Sequence, residues 1–157
     1  MTPNQAAYYR FLFLNGFPEE LTNYIDHALE TENPLSDLTL DLSLCFSDTE
    51  KMLNVLNEYI SNAKPEEIDW DGAILNMVLE FLRSKSETLS TEELVLLMKD
   101  FALTDELYTL DRWYSVYIAH EYYDECLSGI WNFSMNDFLK DLHAFLQFGT
   151  PIILPRP

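Results

Sequence analysis

Glycine is scarce in this chain, with 4 in 157 residues. An all-β protein with many tight turns favours glycine, so the count argues against that class. Cations are scarce too. Nine Lys+Arg face 27 Asp+Glu, for a formal net charge of −18. The nine (Arg10, Lys51, Lys64, Arg83, Lys85, Lys99, Arg112, Lys140 and Arg156) are spread along the sequence without a cluster. Such a chain repels phosphates, so direct nucleic-acid binding would need a basic patch, and anionic membrane surfaces are disfavoured for the same reason. Only two cysteines occur, Cys45 and Cys126, far apart and outside any CxxC. Reduced core thiols are the simplest reading. No apolar segment reaches the roughly 18 residues that span a bilayer. The stretch "MTPNQAAYYRFLFLNGF" lacks a basic region ahead of its apolar run, and Asn15 and Gly16 break that run. A signal peptide is therefore not expected, and the chain reads as cytoplasmic.

What is present is apolar and aromatic. Hydrophobic residues make up 48% of the chain, including 10 Phe, 9 Tyr and 3 Trp. Disordered chains are poor in such residues, and this composition can bury a sizeable core. The length suits one domain, or two small halves sharing a core.

Hydrophobic spacing predicts helices throughout. Residues 4–15 form a first helix, stopped by Gly16. Pro18 suits the first turn of a second over 18–30, where Leu21, Tyr24, Ile25, Ala28 and Leu29 make a stripe. Residues 35–46, "LSDLTLDLSLCF", can be read two ways. Leu38, Leu40, Leu42 and Leu44 alternate like a strand, whereas Leu35, Leu38, Leu42, Cys45 and Phe46 follow helical spacing. Leu, Asp and Ser are not β-branched, which favours the helix. Ser47 with Glu50, and Ser90 with Glu93, have the spacing of a capping box. Further helices are expected over 70–85, with Asp69 or Asp71 as the cap, over 107–128, and from Ser134 onward. In the tail "GTPIILPRP", Gly149 and Pro151 end the last helix, and Ile152, Ile153 and Leu154 are expected to pack on the domain. The expected fold is all-α: about eight helices in antiparallel hairpins over a single domain, 1–149, with an extended Pro-rich tail over 150–157. A helical-repeat-like stack is compatible with this, although no sequence signature of fixed period recurs.

Catalytic motifs are largely missing. "HEYYD" at 120–124 opens like a zinc-protease helix, but Asp124 stands where the second histidine belongs. His120 and Asp124 still share a face, so a metal-dependent hydrolase built on them is one reading and a simple His–Asp hydrogen bond is another. His27 and His143 offer no supporting spacing, and no metal or cofactor is assigned. "DWDG" at 69–72 starts like a calcium loop, but its glycine comes too early. No GxSxG and no phosphate-binding glycine loop appears.

The unusual segment is "DRWYSVYIAHEYYDE", residues 111–125. At about 100° per residue, Val116, Ala119, Tyr122, Tyr123, Cys126 and Leu127 share one arc, which reads as core. The opposite arc carries Trp113, Tyr114, Tyr117, His120, Glu121, Asp124 and Glu125. One apolar stripe is enough for a surface helix, yet this one has aromatics on both sides. Tyr and Trp bury much area with few rotamers, and carboxylates between them would meet Lys or Arg of a partner. A covering layer of helices, or a homodimer seam, would also account for the second face.

The motifs "SDLTLDLSLCFSDTEKMLNVLNEYI" (36–60), "EELVLLMKDFAL" (92–103) and "WYSVYIAHEYYD" (113–124) are helix-packing patterns. Together they resemble a family of small acidic bacterial proteins of unknown biochemical activity, some encoded near polymorphic toxins. The resemblance spans about 30 to 148. It implies an all-α fold, with "LTLDLSLCF" helical, and by analogy an immunity-type role; it transfers no functional residue. The expected function is a non-enzymatic immunity protein that neutralises a basic cognate toxin through the acidic, aromatic-rich face. The alternatives are the hydrolase above and a nucleic-acid-mimicking inhibitor of a DNA-binding protein.

Overall fold

The computed structural model describes residues 1–155. Its plainest local outcome concerns the alternating leucines. Residues Asp37–Leu44 are helical, with the Ser36 side chain accepting from the Thr39 amide. Leu38 and Leu42 are buried, while Leu40 is 44% exposed and Leu44 81%. The four-residue spacing wins because it places both inward leucines on one face of a helix.

Among the described residues the fold is all-α, with eight α-helices and no strand. They are α1 (Pro3–Leu14), α2 (Pro18–Thr31), α3 (Asp37–Leu44), α4 (Thr49–Ser61), α5 (Leu75–Ser86), α6 (Thr91–Leu103), α7 (Trp113–Ser128) and α8 (Met135–Phe148). No helix is long and apolar enough to cross a membrane. The chain divides into two compact units, with the boundary between Asp69 and Trp70.

The first unit holds α1 to α4. Each of these helices packs on the next, and α4 returns to α1, so the contacts close a ring. Its core is Ala6, Leu21, Ile25, Leu38, Leu42, Met52 and Leu56. The Thr2 and Gln5 side chains cap α1 reciprocally. This box sits behind Pro3 and is not obvious from hydrophobic spacing alone. The box expected from Ser47 and Glu50 does not form. Asp48 caps α4 instead, its carboxylate accepting from the Lys51 amide at 3.2 Å. A carboxylate one residue later supplies a charged acceptor at the positive end of the helix dipole.

The second unit repeats the pattern of contacts. α5 packs on α6, α6 on α7, α7 on α8, and α8 on α5. The α6–α7 contact is the most extensive in the molecule. The Ser90–Glu93 capping box forms in full, and Ser134 caps α8 through the Asp137 amide.

Two expected elements in this unit change. The helix expected over 107–128 begins only at Trp113. After α6 the backbone makes tight turns over Thr104–Thr109, and Asp105 and Glu106 adopt left-handed φ of 50° and 54°. Neither residue is glycine, so each conformation carries strain of order 1 kcal/mol that the flanking packing must offset. The second change is at 70–74, where Trp70–Ile74 makes a π-helical turn before α5. Asp71 does not cap α5. Its carboxylate accepts from the Arg112 backbone amide at 2.9 Å, just ahead of α7.

The chain beyond Gly149 is not helical as far as Pro155. Ile152 is buried, and its amide donates to the Ser115 hydroxyl at 3.0 Å. Ile153 faces outward, contrary to expectation, because successive residues of an extended chain point to opposite sides. The expectation for Arg156 and Pro157 lies outside the described residues.

The Trp113 indole donates to the Trp70 carbonyl at 2.7 Å and is fully buried. Trp113→Phe removes the indole donor from that carbonyl and leaves a smaller ring in the core, so urea unfolding should show a loss of about 1–3 kcal/mol. Ser90→Ala should lower stability by about 1 kcal/mol in the same assay. The Ser90 amide also holds the Glu93 carboxyl below its ordinary range. A lowered folded pKa contributes stability above the unfolded value and loses it as pH falls through the folded one. Glu93→Gln should therefore flatten the acid side of the stability–pH curve without changing its alkaline side.

Candidate functional site

The seven residues of the acidic-aromatic arc do not share one environment. Trp113 is buried, so its place on an outward face is corrected. The turn at 70–74 lies over the first turn of α7: Trp70 meets Trp113 edge to face, with centroids 6.3 Å apart, and Asp71 engages Arg112. The remaining six do reach the surface. Tyr114 is 50% exposed, Glu121 and Asp124 are exposed, and Tyr117, His120 and Glu125 are half-buried.

The inward arc shifts as well. Ser115, Val116, Ile118, Ala119 and Tyr122 are buried, Tyr123 and Cys126 are half-buried, and Leu127 is exposed. Leu127 was placed in the core by angle. It lies in the last turn of α7, one turn beyond Tyr123, and emerges into solvent there. Tyr122 is the polar member of this core. Its hydroxyl lies 3.5 Å from an Asp141 carboxylate oxygen, and burial, then Asp141, push its pKa up to about 12.

Tyr117, His120, Glu121 and Asp124 follow the 3/4 spacing of a single helix face. They line a depression of about 330 Å³ whose fifth wall is Lys99 of α6. The His120 Nδ1 lies 3.5 Å from an Asp124 carboxylate oxygen, one helical turn away. His120 is shielded, at 19% side-chain exposure, whereas Asp124 is open at 59%. Tyr117 continues into an aromatic row, with Tyr108 at 5.4 Å and Tyr114 at 6.3 Å between ring centroids. The row gives the depression a flat, apolar margin with hydroxyl groups.

Chemically the lining combines two carboxylates, one imidazole, one phenol and one ammonium group. Among the described residues no group of three or more His, Cys, Asp or Glu side chains is arranged to hold a metal ion.

Spacing on α7 alone did not reveal Lys99, because α6 and α7 meet only in the folded chain. It also passed over an apolar loop. Leu127, Ile130 and Trp131 are 60%, 75% and 49% exposed. The sequence signal existed: Gly129 ends α7 in the left-handed conformation and Asn132 is also left-handed, so Ile130 and Trp131 sit between two breakers with no helical face to bury them. Leu127 lies three residues beyond Asp124, in the last turn of α7.

Compared with protein-family models, with curated proteins and with solved structures, the chain finds no match.

Both thiols are poorly activated. Burial raises the pKa of Cys126, and Asp137 and Glu125 add to it; burial and Asp48 do the same for Cys45. The thiolate is the reactive form. Alkylation of either cysteine by iodoacetamide at pH 7.5 should be slower than for a cysteine in an unstructured peptide. A faster rate at Cys126 would mean that α7 carries an activated nucleophile.

Proposed function

We propose that this chain is a non-enzymatic binding protein of the immunity type. It neutralises a basic toxin by covering the toxin's working surface with the outward face of α7. The observation that carries the reading is the depression of about 330 Å³ lined by Tyr117, His120, Glu121 and Asp124. A lysine or arginine of the partner would enter it, between the two carboxylates and against the Tyr117 ring. Around it, Tyr114 and the exposed Leu127, Ile130 and Trp131 supply the apolar area that anchors an interface. The net charge of −18 would speed encounter with a basic partner. Lys99 is the one cation in the wall, and it tunes which basic side chain is accepted.

The cytoplasmic location expected above belongs to the same reading, since an immunity protein of this kind acts where its toxin would. Among the described residues no third metal ligand joins His120 and Asp124, and no specific observation favours the nucleic-acid mimic.

The test is co-expression with a toxin encoded beside this gene. Wild type should rescue growth and co-purify with the toxin. The double variant Glu121→Lys/Asp124→Lys should weaken binding by at least about tenfold, through loss of two charge-assisted contacts. Lys99→Glu should strengthen it. Affinity should fall as salt rises. Absence of rescue by the wild type, or affinity indifferent to both the double variant and salt, overturns the reading.

A further inference from the structure

The nine cations are scattered in sequence, yet the fold gathers two of them into one cavity. Arg83 of α5 and Arg112, just ahead of α7, line a depression of about 220 Å³ with Asn76, Leu79, Gln147, Phe148 and Gly149. No carboxylate is among the lining residues. In a chain with three times as many acids as bases, that is unexpected.

The two guanidiniums are held by neutral oxygens. Arg83 donates through Nη1 to the Leu146 carbonyl at 2.6 Å. Arg112 donates through Nη1 to the Asp71 carbonyl at 3.0 Å and through Nη2 to the Asn76 side-chain oxygen at 3.2 Å. The Asp71 carboxylate accepts from the Arg112 backbone amide. Among the described residues neither guanidinium forms an ion pair. A guanidinium offers five N–H donors. Arg83 therefore uses one and Arg112 two, and both charges remain uncompensated by a salt bridge. Both side chains are half-buried, which raises the cost of leaving a charge unpaired.

The geometry around them is pinned from two sides. Gly149 ends α8 at φ +71°, and a Cβ there would stand 2.9 Å from Arg112 Nη2. Backbone and guanidinium approach this closely only because residue 149 is glycine. Arg83 sits on the last carbonyls of α8, where the helix dipole favours a cation. The arginines are thus fixed in place without anion partners, beside two amide side chains that can donate further hydrogen bonds. A volume of 220 Å³ exceeds several water molecules at about 30 Å³ each, enough for a small oxyanion.

We propose that this cavity binds a small oxyanion, a carboxylate or a phosphate group, in the forked donors of Arg83 and Arg112. Planar guanidinium forks match either group with paired N–H···O bonds. The site is independent of the α7 face. It uses none of that face's residues and holds the opposite charge.

The test uses the whole protein, labelled with ¹⁵N, and follows the arginine Nε–H resonances at constant ionic strength. Inorganic phosphate and acetate are titrated separately, with chloride as the control. Arg83 and Arg112 should shift together and saturably in phosphate or acetate and not in chloride. The anion that saturates at the lower concentration identifies the preferred group. Gln147→Glu places a carboxylate on the exposed rim, where folding tolerates it, and should weaken binding by at least about tenfold. Arg112→Lys keeps the charge but loses the fork, and should also weaken it. Linear shifts without saturation in both anions, equal shifts in chloride, or an unchanged Gln147→Glu variant would show that the arginines only brace the backbone, and would overturn the proposal.

Discussion

The candidate site depends on where α7 starts. That start is set by the hydrogen bond from the Trp113 indole to the Trp70 carbonyl, inside a turn that also engages Arg112 through Asp71. A buried indole must find an acceptor, and here the acceptor is a carbonyl of a π-helical turn, where the ordinary helical bonding pattern is interrupted. Trp113 shares a helix face with Tyr117, His120 and Asp124, and the turn at 70–74 covers that face only at the first turn of α7. Beyond the turn Tyr117, His120, Glu121 and Asp124 reach the surface, while Ile118, Ala119 and Tyr122 fill the unit's core.

The same anchor shapes the cationic cavity. Arg112 immediately precedes Trp113, so fixing the indole also fixes the guanidinium against Asp71, Asn76 and Gly149. One turn of chain at 70–74 therefore stands behind two surfaces of opposite charge. An acidic, aromatic depression lies on α7, and a cavity with two arginines forms where α5 and the end of α8 meet the start of α7. Segregating the few cations from the α7 face leaves that face strongly acidic apart from Lys99, which is the property the proposed binding role requires.

Much of the fold was legible in order. Apolar spacing and capping signals marked the eight helices in order, and Gly16, Pro18 and Gly149 placed the end of α1, the start of α2 and the end of α8. Within 35–46 only Thr39 is β-branched, and that scarcity decided correctly for helix. The misses have local causes. Asp48 displaced Ser47 as a cap, a carboxylate being the better acceptor at the positive end of the helix dipole. The start of α7 moved from 107 to 113 because the chain must turn sharply after α6, through left-handed Asp105 and Glu106, before α7 can pack back on α6. Periodicity reads a face but has no information about a turn imposed by packing.

The sequence alone determined the helical class, the surplus of acid, the aromatic wealth of 113–125 and the lack of a second histidine in "HEYYD". These are properties of local spacing and composition, and they survive any arrangement of the helices. Tertiary structure decided what each side chain meets. It buried Trp113 under a turn 43 residues earlier in the chain, brought Lys99 to the wall of the α7 depression, and joined Arg83 and Arg112 across α5 and the start of α7. Those pairings are long-range, and no periodicity along one helix encodes them. Which charges stand alone and which are compensated is a question of packing between helices.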